Sequence, residues 1–179
     1  MNLLCDAARS TLIVIDFQER LMPAIEDGAA VVRQAGILAQ AARALGLPVI
    51  GTAQYPAGLG HNLPEIHALC DQVVEKTDFD ACAAPAFFQA LDPARDDLIV
   101  VGCEAHVCVL QTVLGLLGRQ HRVRVAVDAI GSRQAFSKAI GIERMKTAGA
   151  ELVTTEMVVF EWLGNSTHPQ FKELMRLIK

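Results

Sequence analysis

Long apolar runs, a secretory-type apolar stretch within residues 1–10 and an excess of positive charge are all missing from this sequence. None of the apolar runs in its 179 residues approaches the roughly 20 residues that a membrane-spanning helix needs. Residues 1–10 carry Asp6 and Arg9 where a secretory signal would be apolar. The formal net charge of −4 gives no electrostatic reason to expect binding to nucleic acid or to an anionic membrane. We therefore expect a cytoplasmic protein that binds a small-molecule substrate and has no membrane or nucleic-acid partner.

Several ligand-binding motifs are missing as well. No G-x-G-x-x-G follows the first apolar run, and no G-x-x-x-x-G-K-[ST] occurs, which disfavours a dinucleotide or P-loop site. Cys103, His106 and Cys108 stand close together, but no second cluster completes the four ligands of a structural zinc site. The five cysteines are odd in number and lack the spacing of a disulfide framework, which favours reduced thiols. The sequence therefore predicts no metal and no cofactor.

Apolar residues, in contrast, are abundant and make up 52% of the chain. This fraction excludes a disordered protein and predicts a large core or a buried surface for self-association. No repeat, linker or charge block divides the chain, so we predict one domain over residues 1–179. The apolar content also favours a homo-oligomer, either a dimer or a tetramer.

Apolar runs rich in β-branched residues alternate with helical patterns along the chain. Strands are predicted at 11–16, 48–52, 72–76, 98–102, 122–128 and 151–154. Helices are predicted at 29–45, 64–70, 85–91, 106–120, 137–148, 155–163 and 169–179, with loops at 55–63 and 77–83. This alternation predicts an α/β fold with three α/β/α layers around a parallel sheet. In such sheets, ligands bind beyond the carboxyl ends of the strands.

Three chemically capable side chains follow predicted strands. Asp16 ends the first strand, Lys76 ends the third, and Cys108 lies near the start of the helix that follows LIVVG. Each has a structural alternative: a helix cap or loop-facing carboxylate for Asp16, a solvated amine for Lys76, and a small buried side chain for Cys108. If the sheet places their strands side by side, the three share one edge, and that coincidence favours a functional interpretation.

Cys108 has the setting of a nucleophile at this edge. The amides and the dipole of a helix N-terminus stabilise an anion, so we expect a lowered pKa for its thiol. The same amides could hold a developing oxyanion. A nearby Lys76 would favour the thiolate further, and Asp16 could accept its proton. A redox pair with Cys103 is disfavoured because the spacing is not C-x-x-C.

Three segments resemble the isochorismatase-like cysteine hydrolase superfamily, and they follow one another in the same order as in that superfamily. They are IVIDFQERL around Asp16, VVEKTDFDAC around Lys76 and VVGCEAHVCVLQTVLGLL around Cys108. The resemblance runs from Thr11 to the C-terminus. Two further segments, TAQYPAGLG and HPQFKELMRLIK, resemble the branch of isochorismatase domain-containing hydrolases.

The resemblance implies a catalytic triad of Cys108, Asp16 and Lys76 on a six-stranded parallel sheet between helices. It also implies a cis peptide bond between Cys103 and Glu104, with the backbone N–H groups of Glu104 and Cys108 forming an oxyanion hole. The implied reaction is cofactor-independent hydrolysis of a non-peptide carbon–nitrogen bond in a small amide-like substrate, through a covalent thioester-type intermediate. The expected pocket walls, assigned position by position, are Phe17, Gln54, Tyr55, Phe79, His106 and Val107.

Two departures from the superfamily narrow this hypothesis. Nicotinamidase members carry a metal-binding D-x-H element where this chain has TAQYP, which disfavours a metal-dependent nicotinamidase. Isochorismatases proper cleave a vinyl ether with the aspartate as acid and without the cysteine, so the presence of Cys108 favours amide hydrolysis. Non-covalent ether hydrolysis and a non-catalytic oligomeric scaffold remain as alternatives. The roles of Asp128, Ser132 and Arg133, at and after the end of the fifth predicted strand, stay open.

Overall fold

A six-stranded parallel sheet forms the centre of the computed structural model, which describes residues 3–179. Its strands are β1 (Ser10–Ile15), β2 (Val49–Gln54), β3 (Gln72–Lys76), β4 (Asp97–Cys103), β5 (Arg122–Gly131) and β6 (Glu151–Val153). They lie in the order β3-β2-β1-β4-β5-β6, and every neighbouring pair is parallel. The predicted α/β fold around a six-stranded parallel sheet is confirmed.

Helices cover both faces of this sheet. They are α1 (Gly28–Ala44), α2 (Pro56–Leu59), α3 (Pro64–His67), α4 (Pro85–Ala90), α5 (Leu110–Leu117), α6 (Ala135–Thr147), α7 (Thr155–Leu163) and α8 (Phe171–Ile178). A π-helical turn at Ala105–Val109 precedes α5, and short 3₁₀ turns lie at Met22–Ala24 and Ala81–Ala83. Within residues 3–179, no helix is both long and apolar enough to cross a membrane.

The central strand β1 explains how one run of sequence supplies two cores. All six of its residues are buried, as its continuous apolar character predicts. Leu12 and Val14 pack into a core with residues of α1, α7 and α8. Ile13 and Ile15 pack into a second core with residues of α4 and α5. Because successive side chains of a strand point to opposite faces, β1 joins the two layers of helices.

The segments at 55–63 and 106–120 are built differently from their prediction. The expected loop at 55–63 contains α2, which begins at Pro56 because proline fits the first turn of a helix. The expected helix at 106–120 is divided into the π-helical turn and α5, and α5 already ends at Leu117. Beyond that end, Gln120 has a left-handed backbone with a φ of 65°, which directs the chain into β5.

The fifth strand is longer than predicted, so Asp128, which was predicted to end the strand, lies inside it. The pairing of β4 with β5 shifts its register between Val100 and Gly102, so that β5 holds extra residues there and continues to Gly131. Asp128 lies in this irregular part, and its carboxylate accepts hydrogen bonds from the Thr155 N–H at 2.9 and 3.1 Å. Asp128 therefore braces the start of α7 and has a structural role.

Strands β1 and β4 approach each other closely where Gly102 pairs with Ile15. Gly102 has a φ of 136°, and a Cβ atom at this position would collide with the carbonyl oxygen of Ile15. Only glycine combines this backbone with this contact. The close approach fixes the end of β1, directly before Asp16.

Candidate active site

Asp16 lies directly after β1 and is only 1% exposed. Its backbone is left-handed, with a φ of 53°, a conformation that is uncommon outside glycine. Its Oδ1 accepts a hydrogen bond from the Thr52 Oγ1 at 2.6 Å, and its Oδ2 accepts one from the Lys76 Nζ at 2.8 Å. Asp16 is therefore a buried carboxylate with two partners, and neither a helix cap nor a loop-facing side chain.

Lys76 is the last residue of β3, and its side chain has no contact with solvent. Its ammonium group donates to the Asp16 carboxylate and also to the Gln54 Oε1, at 2.8 Å in each case. A buried ammonium group requires such partners because leaving it unpaired would be costly. The alternative of a solvated lysine is thus wrong.

Thr52 and Gln54 connect the two charged groups across the strand that separates them. Both lie on β2, and β2 lies between β1 and β3 in the sheet. Gln54 also donates from its Nε2 to the Thr77 carbonyl oxygen at 2.6 Å, which fixes the orientation of its amide. The sequence placed Thr52 at the edge where ligands bind but did not include it among the site residues. The signal for it was a pair of polar residues two apart in an apolar strand, which places both side chains on the same face.

Cys108 occupies the π-helical turn between β4 and α5, and it is 6% exposed. Helix α6 packs closely on this turn, because a Cβ atom at Gly141 would lie only 3.0 Å from the Ala105 carbonyl oxygen and the His106 Cα. The π-helical turn was not predicted. Such turns are rare and frequently occur at functional sites.

The electrostatic environment of Cys108 differs from the expectation of a lowered thiol pKa. Burial, followed by the negative charge of Asp16, raises the pKa of the Cys108 thiol to about 12, and the Lys76 ammonium opposes this change in part. The lowered pKa predicted from the helix dipole is therefore wrong, because the desolvation of the buried thiol disfavours the thiolate more strongly than the dipole favours it. The thiol is therefore protonated at neutral pH. Asp16 and Lys76 nevertheless both act directly on it, so the structure brings the three predicted residues together.

Glu104 follows the end of β4, and the peptide bond between Cys103 and Glu104 is cis, at the position that the resemblance implies. The Glu104 side chain turns towards Arg133. Its Oε2 accepts hydrogen bonds from the Arg133 backbone N–H at 2.9 Å and from the Arg133 Nε at 3.1 Å. Cys103 itself is completely buried, and burial raises the pKa of its thiol to about 12.

The residues expected to line the pocket lie in different environments. Phe17 is completely buried in the core, and Gln54 is 7% exposed and binds Lys76. Tyr55 is 56% exposed and borders a cavity of about 500 Å³ together with Lys76. Phe79 is also exposed, whereas Val107 is partly buried against the core. As walls of a substrate pocket, these residues stay predictions.

His106 borders a second cavity of about 290 Å³, which is also lined by Glu104, Arg133, Gln134 and Ser137. The His106 Nδ1 lies 3.0 Å from the Oγ of the buried Ser132. The sequence reasoning left Ser132 and Arg133 open and missed Gln134 and Ser137. Their signal was position, since all of them follow the carboxyl end of β5: Ser132, Arg133 and Gln134 lie before α6, and Ser137 lies in its first turn.

The side chains around Cys108 do not form a metal centre. Among residues 3–179, no group of three or more histidine, cysteine, aspartate or glutamate side chains is placed to hold a metal ion. What the site offers instead is a buried thiol beside a carboxylate and an ammonium group. This combination can exchange a proton between sulfur and carboxylate.

A protein-family model described as the isochorismatase domain matches residues 10–157. The chain belongs to this isochorismatase family. The family, whose members are in general hydrolases, includes human isochorismatase domain-containing protein 2, which is 38% identical over 172 residues, or 95% of this chain and 83% of the relative. The corresponding protein of Macaca fascicularis is 39% identical over 172 residues, with the same two coverages.

Two solved structures share this fold. The structure of MAR1 ribonuclease from Caenorhabditis elegans has a TM-score of 0.93 and 38% identity, covering 98% of this chain and 92% of that chain. The Escherichia coli YcaC protein, described as an octameric hydrolase of unknown specificity, has a TM-score of 0.87 at 22% identity and covers 98% of this chain and 96% of its own. At that identity, the likeness concerns the fold alone.

Proposed function

We propose that this isochorismatase-family protein is a cysteine hydrolase of a small amide-like substrate, with Cys108, Asp16 and Lys76 as its catalytic residues. The observation that carries the proposal is the buried ion pair between Asp16 and Lys76, whose two charges both act on the Cys108 thiol. Burying an ion pair is costly for a protein. Next to a thiol, however, such a pair can serve catalysis, because its carboxylate can take the thiol proton.

In the first step, the Cys108 sulfur attacks the substrate carbonyl carbon while Asp16 takes the thiol proton. The general base is needed because the resting thiol is protonated, with a pKa of about 12. The carbonyl oxygen becomes an oxyanion, which the backbone N–H groups of Glu104 and Cys108 stabilise. Each such donor typically contributes about 3 kcal/mol.

In the second step, the carbon–nitrogen bond breaks, and Asp16 returns the proton to the leaving nitrogen. The acyl group remains on Cys108 as a thioester. Water then attacks the thioester with Asp16 as base, the carbon–sulfur bond breaks, and the thiolate takes back the proton. The products are a carboxylic acid and an amine or ammonia. Lys76 keeps the paired charges balanced throughout, because its ammonium group compensates whichever anion is present.

The test is a screen of small amides, carbamates and ureido acids for release of ammonia or amine. We expect turnover by the wild type, loss of turnover in Cys108→Ala with the fold intact, and retention in Cys82→Ala, which removes a buried thiol outside the site. Intact-mass spectrometry during turnover should detect the acyl-enzyme. Full activity of Cys108→Ala on one of these substrates would exclude the covalent route and favour hydrolysis without a covalent step. Inactivity on all substrate classes would favour the scaffold.

RNA is a second candidate substrate because of the name of the Caenorhabditis elegans relative. Asp16, Lys76 and Cys108 are each no more than 6% exposed, and the chain carries a net charge of −4. Both features favour a small substrate over a polynucleotide, whose binding relies on positive surface charge. Cleavage of RNA that is lost in Cys108→Ala would replace the amide proposal.

The cytoplasmic location and the homo-oligomer, dimer or tetramer, stay predictions.

A further inference from the structure

Gln18 is completely buried two residues beyond Asp16, and the proposed mechanism gives it no role. Its side-chain amide binds both backbone groups of Gln54. The Gln18 Oε1 accepts a hydrogen bond from the Gln54 N–H at 2.8 Å, and the Gln18 Nε2 donates to the Gln54 carbonyl oxygen at 2.9 Å. The same Nε2 donates to the Gly60 carbonyl oxygen at 2.7 Å, so both N–H groups of the amide are engaged.

The contact with Gln54 replaces a backbone pairing that β1 does not supply. Strand β1 pairs with β2 as far as Ile15, and the chain then leaves the strand at Asp16 with its left-handed backbone. Strand β2 continues to Gln54, which pairs with the end of β3 on its other side. Without Gln18, the N–H and carbonyl groups of Gln54 would lose these partners in a buried setting, which is costly.

Gln54 transmits this constraint to the charged pair. Its side-chain Oε1 accepts a hydrogen bond from the Lys76 Nζ at 2.8 Å, while its Nε2 is held by the Thr77 carbonyl oxygen. The Lys76 ammonium group in turn acts on the Cys108 thiol, whose pKa it lowers against the effect of burial. An unbroken series of contacts therefore leads from Gln18 through Gln54 to Lys76 and the thiol.

Thr52, the other residue of β2 that binds the charged pair, is held in a similar way. Asn62 is 3% exposed, and its Nδ2 donates to the Thr52 carbonyl oxygen at 3.0 Å. Asn62 and Gln18 also form a β-bridge with each other, which joins their two segments. Both β2 residues that bind the charged pair are thus fixed by amide side chains from outside the sheet.

We propose that Gln18 is a positioning residue of the proposed active site, which sets the place of the Lys76 ammonium group by fixing Gln54. Without Gln18, the Asp16 carboxylate is the one fixed acceptor of Lys76, and the ammonium group can move relative to the Cys108 sulfur. The inference rests on the proposed function in one respect, because the catalytic role of Lys76 is itself proposed. The contacts that carry it are independent of the substrate.

Alkylation of Cys108 by iodoacetamide tests this role without a substrate, because the reagent attacks the thiolate. Peptide mass spectrometry separates Cys108 from the other free cysteines. Gln18→Met removes the amide at nearly constant length, and Gln18→Asn keeps an amide that is one carbon shorter. We expect each to lower the alkylation rate at about pH 9 by about three- to tenfold, because a displaced ammonium group leaves fewer sulfur atoms ionised. An unchanged rate would overturn the inference.

The Gln54→Leu background separates positioning from a general loss of structure. This background lacks the Oε1 that binds Lys76, so fixing the backbone there no longer places the ammonium group. We expect Gln18→Met to lower the urea midpoint in both backgrounds but to change the alkylation rate in Gln54→Leu by less than about twofold. Gln18→Asn gives the same comparison if the apolar pair of substitutions does not fold. An equal fall in rate in both backgrounds would overturn the inference.

Trp162→Phe is the matched control for stability. It removes a buried donor at the opposite end of β1, where the Trp162 Nε1 donates to the Ser10 Oγ at 3.0 Å. We expect it to lower the urea midpoint while keeping the alkylation rate of Cys108 within about twofold of the wild type. A fall in rate equal to that of Gln18→Met would assign the effect to stability and overturn the inference.

Turnover of small amides separates the failure of this inference from the failure of the proposed function. If Gln18→Met slows alkylation as expected while the wild type hydrolyses no amide, Gln18 positions Lys76 and the hydrolase proposal fails. If the wild type hydrolyses an amide and loses this activity in Cys108→Ala, but alkylation is the same with and without Gln18, the hydrolase stands and the positioning role fails.

Discussion

The Nζ of Lys76 lies 2.8 Å from the Oδ2 of Asp16, and the two side chains are 0% and 1% exposed. The residues come from β3 and β1, which are separated by β2, and each also binds a side chain of that intervening strand. A buried ion pair is stable only when its remaining donors and acceptors are satisfied. Thr52 and Gln54 meet this requirement on the carboxylate and ammonium sides, respectively.

Removing one charge of this pair should be far more harmful than removing both. Lys76→Met leaves the Asp16 carboxylate buried without its cation, and we expect a loss of about 3–5 kcal/mol in the free energy of unfolding. The double variant Asp16→Asn/Lys76→Met removes the uncompensated charge and should recover part of that loss. Urea denaturation measures the wild type, Asp16→Asn, Lys76→Met and the double variant. If the effects of the two single substitutions simply add, the pair is not coupled.

Gln54 should contribute to stability through Lys76, although the sequence predicts it only as a pocket wall. Gln54→Leu removes one of the two acceptors of the buried Lys76 ammonium group, and it also removes the donor to the Thr77 carbonyl. We expect a loss of about 1–3 kcal/mol in the free energy of unfolding. Gln40→Leu is the matched control, because the Gln40 amide is exposed and bonds only within α1. It should change stability by less than about 0.5 kcal/mol. Equal effects of the two substitutions would contradict this account.

The strands could be predicted because burial on both faces forces an apolar sequence on each of them. The predicted bounds of β3, 72–76, match the structure, and β1 differs by one residue at each end. Asp16 and Lys76 could then be placed at one edge, because the carboxyl ends of parallel strands meet there. The family resemblance added Cys108, which no periodic pattern distinguishes from an ordinary buried cysteine.

Other features depended on tertiary contacts that the sequence does not display. The thiol pKa of Cys108 follows burial and the charge of Asp16 more than its place in the chain. The turn around Cys108 is π-helical, and local propensity gives no sign of this. The pairing of Glu104 with Arg133 joins residues 29 positions apart through the end of β5, so neither residue alone indicates the cavity that they line.

Gly102 should be the least replaceable glycine near the site. In Gly102→Ala, the new methyl group meets the Ile15 carbonyl oxygen, and the residue keeps an unfavourable φ of 136°. We expect a loss of about 4 kcal/mol or more in the free energy of unfolding. Gly149→Ala is the control, because Gly149 also has a positive φ, 109°, but a Cβ there meets nothing within 4 Å. It should cost about 1–3 kcal/mol, the backbone strain alone. Similar losses in urea denaturation would show that the contact with β1 is unimportant.

The buried thiols should make the protein lose stability as the pH rises above the ordinary thiol pKa. Burial raises the pKa of Cys82 from 9.0 to about 12 in the folded protein. Between these values the unfolded chain releases the proton and the folded protein keeps it, so rising pH favours unfolding by up to about 1.4 kcal/mol per pH unit for each such thiol. Cys82→Ala removes one of them. The free energy of unfolding of Cys82→Ala is lower than that of the wild type, and this difference should therefore shrink by about 1.4 kcal/mol per pH unit.

The control for this experiment is Val113→Ala, which opens a cavity in the same core without removing a titrating group. Urea denaturation of the three proteins from near pH 8 to roughly pH 10.5 gives the free energy of unfolding at each pH. Val113→Ala should run parallel to the wild type, because both proteins release the same protons on unfolding, whereas the Cys82→Ala curve should converge on that of the wild type. A constant separation between Cys82→Ala and the wild type would mean that the Cys82 thiol titrates alike in the folded and unfolded chains, and that its burial does not protect its proton.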